Sequence, residues 1–168
     1  MTGTPTVSNP VLAAYAVVLI AAVTGFAIYD LFKKRVPNKA LAFSAPCFLA
    51  APVMYSWALS SSSFYKDIFT EQLLLSIFGA ILGFAILLCA ALLSKGGCGV
   101  GGGDIKLMGL LGFALGPYGA MGTLCIASIL CIPAALFCRW RAKANILSLP
   151  FVPFLAIGCS IVLIFQIL

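Results

Sequence analysis

The sequence contains no histidine and very little charge. The lack of histidine excludes Ser-His-Asp triads, HExxH zinc sites and haem-type histidine ligation. Charged residues make up 8% of the chain, against about 25% in a soluble domain, so the chain cannot cover a surface that faces water. Disordered chains are poor in apolar residues, whereas hydrophobic residues make up 63% of this one. Its 168 residues therefore predict one domain of an integral membrane protein.

The seven cysteines do not form a metal-binding pattern. None of them lies in a CxxC pair, so a zinc ribbon has no ligand set. Most lie within apolar runs, where cysteine packs as a small hydrophobic residue. We therefore expect buried packing for the cysteines and no metal site.

The N-terminal region predicts a retained membrane helix and not a cleaved signal peptide. Residues 1–10 contain no Lys or Arg, whereas a signal peptide begins with a basic segment. The apolar run that follows continues to Tyr29, and Lys33, Lys34 and Arg35 come directly after it.

Six apolar segments are predicted to cross the membrane, since about 20 apolar residues span a bilayer as a helix. Pro37 disfavours helix at the residue before it and ends the first segment. Gly116 and Pro117 interrupt an apolar run that is too long for one span, which divides it into a short fourth helix and a fifth. The predicted fold is an all-α, polytopic membrane protein with about six transmembrane helices in a single membrane-embedded domain, residues 1–168. The predicted spans are Val11–Phe32, Ala40–Leu59, Gln72–Leu93, Ile105–Leu115, Tyr118–Cys138 and Leu147–Leu168.

Basic residues are distributed unevenly over this topology. Nine of the ten lie in or beside the first, third and fifth loops, which share one side of the membrane. Because Lys and Arg concentrate in cytoplasmic loops, this side is predicted to be cytoplasmic and the N-terminus to be outside. The net charge of +6 is therefore interpreted as membrane orientation and not as nucleic-acid binding.

Two of the four acidic residues are predicted to lie on the cytoplasmic side. Asp30 ends the first span and Asp104 begins the fourth, whereas Asp67 and Glu71 lie in an opposite loop. A charge at the bilayer centre costs about 2.5–3.5 kcal/mol, and membrane carboxylates are commonly functional. Each aspartate also has a structural alternative. Asp30 is at helical spacing from following lysines, and Asp104 is placed to cap the helix it precedes.

In a chain without histidine, paired aspartates are the most natural catalytic groups for hydrolysis. Two neighbouring carboxyl groups cannot both ionise easily, so they share one proton. The ionised group would take a proton from a bound water, and the protonated group would donate to the peptide carbonyl oxygen. We expect the two carboxyl groups to lie apart in the resting state, because catalytic geometry is often loose without substrate.

A glycine-rich segment, residues 96–103, precedes Asp104 and contains a formal GxGxxG pattern at Gly97, Gly99 and Gly102. A dinucleotide site would need a preceding strand and an acidic residue about 20 positions later. A predicted membrane helix precedes this segment, and no acidic residue follows Asp104, so a dinucleotide site is rejected. A P-loop is rejected because no Lys-Ser/Thr pair ends the segment. The glycines either allow close backbone approach at the membrane edge or form a flexible linker.

Three segments, in order along the chain, resemble motifs of the type IV prepilin peptidases, which are intramembrane aspartic proteases of the GxGD kind. Residues 101–107, GGGDIKL, are similar to the family's G-x-G-D-x-K-L segment. Residues 30–38, DLFKKRVPN, resemble its first motif, an Asp followed by a basic stretch and Ile/Val-Pro-Asn. Residues 149–156, LPFVPFLA, resemble its proline-containing motif in the last helix.

The resemblance implies that Asp30 and Asp104 are the catalytic pair. It also implies that a set of neighbouring residues shapes the site: Gly101, Gly103, Lys106, Pro37, Asn38, Pro150 and Pro153. Lys106 has an alternative role as an interfacial anchor, and the last two prolines as the cause of a simple kink.

The implied reaction is removal of a short basic leader from prepilin-like precursors, without a cofactor. The implied place is the cytoplasmic face of the bacterial cytoplasmic (inner) membrane, and the short chain resembles the minimal peptidases of tight-adherence (Flp) pilus systems. Longer bacterial members methylate the new N-terminus and carry a domain with paired CxxC motifs. This chain lacks those cysteine pairs, so methylation is not expected.

Two other functions are alternatives to proteolysis by the aspartates. In a non-enzymatic membrane scaffold or transporter subunit, Asp30 and Asp104 would bind a cation or relay protons. A hydrolase using Ser94 and Lys95 is disfavoured, because adjacent helical residues do not face each other. The expected partners are a prepilin-like substrate and the lipid bilayer, and the sequence does not predict the oligomeric state.

Overall fold

The fold was analysed in a computed structural model that describes residues 10–33, 38–59, 65–93, 101–141 and 151–167. These residues form six helices and, within the described ranges, no strand, which confirms the all-α prediction. The helices are α1 (Pro10–Lys33), α2 (Asn38–Leu49), α3 (Ala51–Leu59), α4 (Tyr65–Leu93), α5 (Gly102–Arg141) and α6 (Val152–Ile167).

The described helices have the lengths and compositions of membrane-spanning segments. Four segments are long and apolar enough to cross a bilayer, and a shorter apolar helix follows them. Many large apolar side chains point away from the protein, such as Phe43, which is 91% exposed, and Phe32, which is 84% exposed. Such a surface is stable in lipid and not in water. The chain is therefore a multi-pass membrane protein, as predicted. The four long segments are Pro10–Phe32, Asn38–Ala58, Asp67–Leu93 and Gly102–Leu136, and the shorter one is Val152–Gln166.

The second predicted span consists of two consecutive helices, α2 and α3, that meet at Ala50. The Ala50 N–H still donates to the Pro46 carbonyl at 3.0 Å, and the Met54 N–H to the Ala50 carbonyl at 3.0 Å. The hydroxyl of Tyr15 in α1 donates to the Cys47 carbonyl at 3.0 Å and supplies a partner to a carbonyl beside this break. The segment thus keeps the predicted extent but not the predicted single helix.

The predicted break at Gly116 and Pro117 is confirmed within α5. Gly116 has φ 70° and ψ −179°, a conformation that glycine adopts readily and other residues do not. Pro117 has no N–H to continue the helical hydrogen bonds and disfavours helix at the residue before it. We call residues 102–115 the first limb of α5 and residues 117–141 its second limb.

The two limbs of α5 run in opposite directions. The side-chain amide of Gln166 donates to the carbonyl of Leu115 at 3.4 Å. Thr123 lies eight residues after Leu115 in α5, and Gly158 lies eight residues before Gln166 in α6. A Cβ at Gly158 would lie 2.7 Å from the carbonyl oxygen of Thr123. The second limb therefore runs antiparallel to α6. The chain therefore reverses at Gly116, and the limbs are two separate segments, as the prediction of about six spans requires.

The core lies around α6, which packs against both α1 and α5. Leucine is the commonest of its large, fully buried side chains, as at Leu19, Leu107, Leu111 and Leu155. Helix α4 packs along α5 through glycines, since a Cβ at Gly83 would lie 2.9 Å from the Met108 carbonyl oxygen. Small residues at such contacts let helix backbones approach closely, which is how helices associate in lipid.

Candidate active site

Asp30 and Asp104 are brought together at one end of the bundle. Asp30 is three residues from the end of α1, and Asp104 is in the first turn of α5. Both carboxyl groups are buried, with 4% and 9% of each residue exposed, and they interact electrostatically with each other. Asp67 and Glu71 are exposed residues of α4. The structure thus separates the four acidic residues into a buried pair and two exposed charges. The two exposed residues lie in the first turns of α4 and not in the loop that the sequence predicts.

Asp104 is held by the start of its own helix. The Gly101 carbonyl accepts from the N–H of Asp104 at 3.0 Å and from the N–H of Ile105 at 3.3 Å, which makes Gly101 the N-cap of α5. The Gly101 N–H hydrogen-bonds in return to the Asp104 carboxyl group. This is half of a capping box: the acidic side chain at the third helical position bonds back to the N-cap, and glycine has no side chain to bond in the other direction. The sequence predicts Asp104 directly before a helix that begins at Ile105, whereas the helix begins at Gly102 and Asp104 lies in its first turn. Its carboxyl group is therefore at the positive end of the helix dipole.

Asp30 is held by the start of a different helix. The Phe151 carbonyl accepts from the N–H of Phe154 at 3.1 Å and of Leu155 at 3.2 Å, so Phe151 is the N-cap of α6 and Val152 its first residue. The Val152 N–H hydrogen-bonds to the Asp30 carboxyl group. Oδ2 of Asp30 is buried and has no hydrogen-bond partner among the described residues.

The predicted separation of the two carboxyl groups in the resting state stays a prediction. The unpartnered Oδ2 makes no hydrogen bond to Asp104, but this observation concerns one of the two Asp30 oxygens. The alternative of an ion pair from Asp30 to Lys33 or Lys34 falls on side chains outside the described ones.

Lys106 and Asn38 connect two of the sequence motifs. The Lys106 ammonium donates to the Asn38 side-chain oxygen at 3.2 Å, and both residues are exposed. Asn38 begins α2, so this bond links the start of α2 to the first turns of α5. Lys106 follows Asp104 by two positions, and residues at that spacing do not share a helix face. The lysine therefore joins helices and does not orient the Asp104 carboxyl group directly.

The remaining site residues from the sequence are placed as follows. Gly101 is exposed, Gly103 is half-buried behind the Asp104 cap, and Pro153 is half-buried in the first turn of α6. Pro37 and Pro150 lie outside the described residues. The Ser94–Lys95 alternative and the glycines at 97 and 99 fall there too.

Sequence reasoning missed the Val152 amide, because a backbone donor has no side-chain signature. The only local signal is a proline at the second position of α6, which marks a helix start. Among the residues of the five described ranges, no three His, Cys, Asp or Glu side chains gather into a group that could hold a metal ion. What the described side chains offer at this end of the bundle is general acid and general base chemistry by two carboxyl groups.

Exchanging Lys106 for methionine is expected to loosen the attachment of α2 to α5. The lost bond joins exposed groups, so we expect the free energy of unfolding to fall by about 0.5–1 kcal/mol. Thermal unfolding in detergent of Lys106→Met, Asn38→Ala and the double variant measures it. The double variant should unfold at a temperature no lower than that of the less stable single variant. Fully additive losses would contradict a direct bond between these side chains.

Comparison with known proteins identifies relatives over most of this region. The chain matches the model of the Type IV leader peptidase family over residues 13–136, a range that contains both aspartates. It is 38% identical over 101 residues to a prepilin leader peptidase/N-methyltransferase of Bacillus subtilis, which covers 60% of this chain and 35% of the relative. A protein of the same name from Burkholderia pseudomallei is 36% identical over 94 residues, covering 54% of this chain and 30% of the relative. The chain thus aligns with about a third of the length of these relatives. No solved structure matches it.

Proposed function

Because the chain belongs to the type IV leader peptidase family, we propose that it is an intramembrane aspartic endopeptidase that removes leaders from prepilin-like precursors. The observation that carries this proposal is the buried pair of Asp30 and Asp104. The two residues are 74 positions apart in the sequence and lie at the same end of the bundle. Burying two carboxyl groups in a membrane protein costs free energy, and such residues commonly have a function.

The proposed reaction is hydrolysis of one peptide bond by water. One aspartate, as carboxylate, takes a proton from water while the water oxygen bonds to the peptide carbonyl carbon. The other aspartate, protonated, gives its proton to the carbonyl oxygen, to which the carbonyl π electrons move. The tetrahedral intermediate then collapses as its C–N bond breaks, and the departing nitrogen takes a proton from the aspartate that received one from water. A hydroxyl of the intermediate returns a proton to the other aspartate as the carbonyl re-forms. Both products leave free and the pair regains its shared proton.

The charge distribution supports a site at the cytoplasmic face. Asp30 lies at the end of α1 from which the chain continues into the basic segment Lys33 to Lys39, and the positive-inside rule assigns such segments to the cytoplasm. We place the N-terminus outside and the protein in the bacterial inner membrane. The proposed substrates carry a short basic leader, as in tight-adherence (Flp) systems.

Incubation of the purified protein with a prepilin-type precursor tests this proposal. The substrate is a recombinant precursor that carries a short basic leader, a glycine before the cleavage point and an apolar helix, in the same detergent as the enzyme. We expect one cut, after the leader, read as the mass of the mature product. The product should carry no added methyl group when a methyl donor is present. An intact precursor after incubation with folded enzyme would contradict the proposal.

A further inference from the structure

A groove of about 650 Å³ lies between α2, α4 and the first limb of α5. The 12-residue helix α2 lines it from Asn38 to Leu49, which at 1.5 Å per residue gives a length of about 17 Å. Small residues such as Ala45 and Gly109 form part of its lining, and Phe84 of α4 is among the large ones. The volume is within the range of about 300–1,000 Å³ that is typical of ligand sites.

The groove is polar at one end and apolar along the rest of its length. Its polar residues are Asn38 and Lys106, which are joined by the 3.2 Å hydrogen bond between their side chains. The other described residues that line the groove are all Ala, Leu, Phe or Gly, so Lys106 is the only charge among the described lining residues. An ammonium group has three N–H donors, and the bond to Asn38 uses one of them. The polar end can therefore donate further hydrogen bonds to an anion.

We propose that this groove binds one phospholipid, with an acyl chain along its apolar length and the phosphate group at Lys106 and Asn38. The hydrocarbon core of a bilayer is about 30 Å thick, so a length of about 17 Å matches the acyl chains of one leaflet. Lys106 is two positions from Asp104, at the end of the bundle that we place at the cytoplasmic face. Basic pockets between membrane helices on that side bind lipid head groups. The inference goes beyond the proposed peptidase function and does not depend on it.

Length and charge favour a lipid over the apolar helix of a precursor as the occupant. A helix that crosses the bilayer needs about 30 Å of apolar contact, which is almost twice the length of the groove. The leader of the proposed substrate is basic and would be repelled by Lys106, whereas a phosphate group is attracted to it. A phospholipid therefore suits both the charged end and the apolar length of this groove.

Native mass spectrometry of the purified protein in detergent, titrated with phosphatidylglycerol, tests this inference. We expect one tightly held lipid per chain, with a Kd about tenfold higher for Lys106→Met, as for loss of a hydrogen bond to a charged group. Lys39→Met is the matched control, because Lys39 is an exposed lysine at the same helix start and does not line the groove. It removes the same charge and should change the Kd by less than about threefold, since exposed charges without direct contact are screened.

A bulky side chain in the groove tests the place of the acyl chain separately. Ala42 lines the groove and is exposed, so a phenylalanine there extends into the groove and not into the core. We expect Ala42→Phe to raise the Kd of the lipid about tenfold or more, because the acyl chain loses apolar contact. Ala21→Phe is the matched control at an exposed alanine of α1 outside the groove, and its Kd should stay within about twofold of the wild type.

Unchanged lipid binding by Lys106→Met and Ala42→Phe would overturn the inference, because the lipid would then bind elsewhere. A loss in only one of these two variants would overturn it too, since the phosphate group or the acyl chain would then lie outside the groove. If Ala42→Phe weakens binding of a precursor or of a second copy of the chain, and not of lipid, the groove has another occupant and the inference is wrong. Lipid binding is measured without cleavage, so this result and that of the cleavage assay are independent.

Discussion

Asp30→Asn and Asp104→Asn should each lower the rate of precursor cleavage by about 10²–10⁴-fold, the contribution typical of a positioned acid or base. An amide has nearly the shape of a carboxyl group but exchanges no proton in the reaction. Its oxygen still accepts from the Val152 and Gly101 amides, so both helix starts keep their partners. We therefore expect protein amount and thermal stability close to those of the wild type. The measurement is single-turnover cleavage of the purified precursor.

The double variant provides a second test of the pair. Residues that act as one unit are not additive, so Asp30→Asn with Asp104→Asn should cleave no more slowly than the poorer single variant. Asp67→Asn is the matched control, since Asp67 is an exposed residue in the first turn of α4, and it should cleave at the wild-type rate. Normal cleavage by either single variant of the pair would exclude the aspartic mechanism. Altered ion flux without any change in precursor cleavage would favour the transporter alternative.

The spans of this protein are predictable because their signals are local. An apolar run has to be long enough for the bilayer, and Gly116 with Pro117 stops a helix through the absence of a Cβ and of an N–H. The Asp104 cap is equally local, since the carboxyl group and its donor are three positions apart. The break between α2 and α3 was not predicted, although Pro46 and Pro52 lie beside it. Proline inside a membrane helix is often accommodated, so its sequence signal is weak.

The contacts between helices could not be predicted from the sequence, for a different reason. Charge and hydropathy place a residue at a depth in the membrane, and this was enough to bring Asp30 and Asp104 to the same level. They carry no information on which helix lies beside which at that level. The contacts of Asp30 with Val152 and of Lys106 with Asn38 depend on these lateral neighbours. Lateral packing is decided by the shapes of small and large residues along each helix.

The closest approach of α4 to α5 should be the most sensitive point of this packing. A Cβ at Gly79 would overlap the carbonyl oxygen of Gly112 and lie 2.6 Å from the carbonyl carbon of Gly116. A Cβ at Gly112 would overlap the carbonyl oxygen of Gly79 in turn. These obstacles are backbone atoms of the facing helix, which cannot rotate away as a flexible side chain can. An added methyl group at either position requires the two helices to separate.

Gly79→Ala and Gly112→Ala are therefore expected to destabilise the protein by about 2–4 kcal/mol, at or beyond the upper range for overpacking. Helix propensity acts in the opposite direction, because alanine favours a helix by about 1 kcal/mol over glycine. Gly25→Ala in α1 isolates that gain, since a Cβ there meets nothing within 4 Å. Thermal unfolding in detergent should rank Gly25→Ala at or above the wild type and the other two well below it. Equal stability of all three variants would contradict the contact. The first limb of α5 also carries Asp104, so whatever Gly112→Ala protein still folds should cleave precursor more slowly than Gly25→Ala.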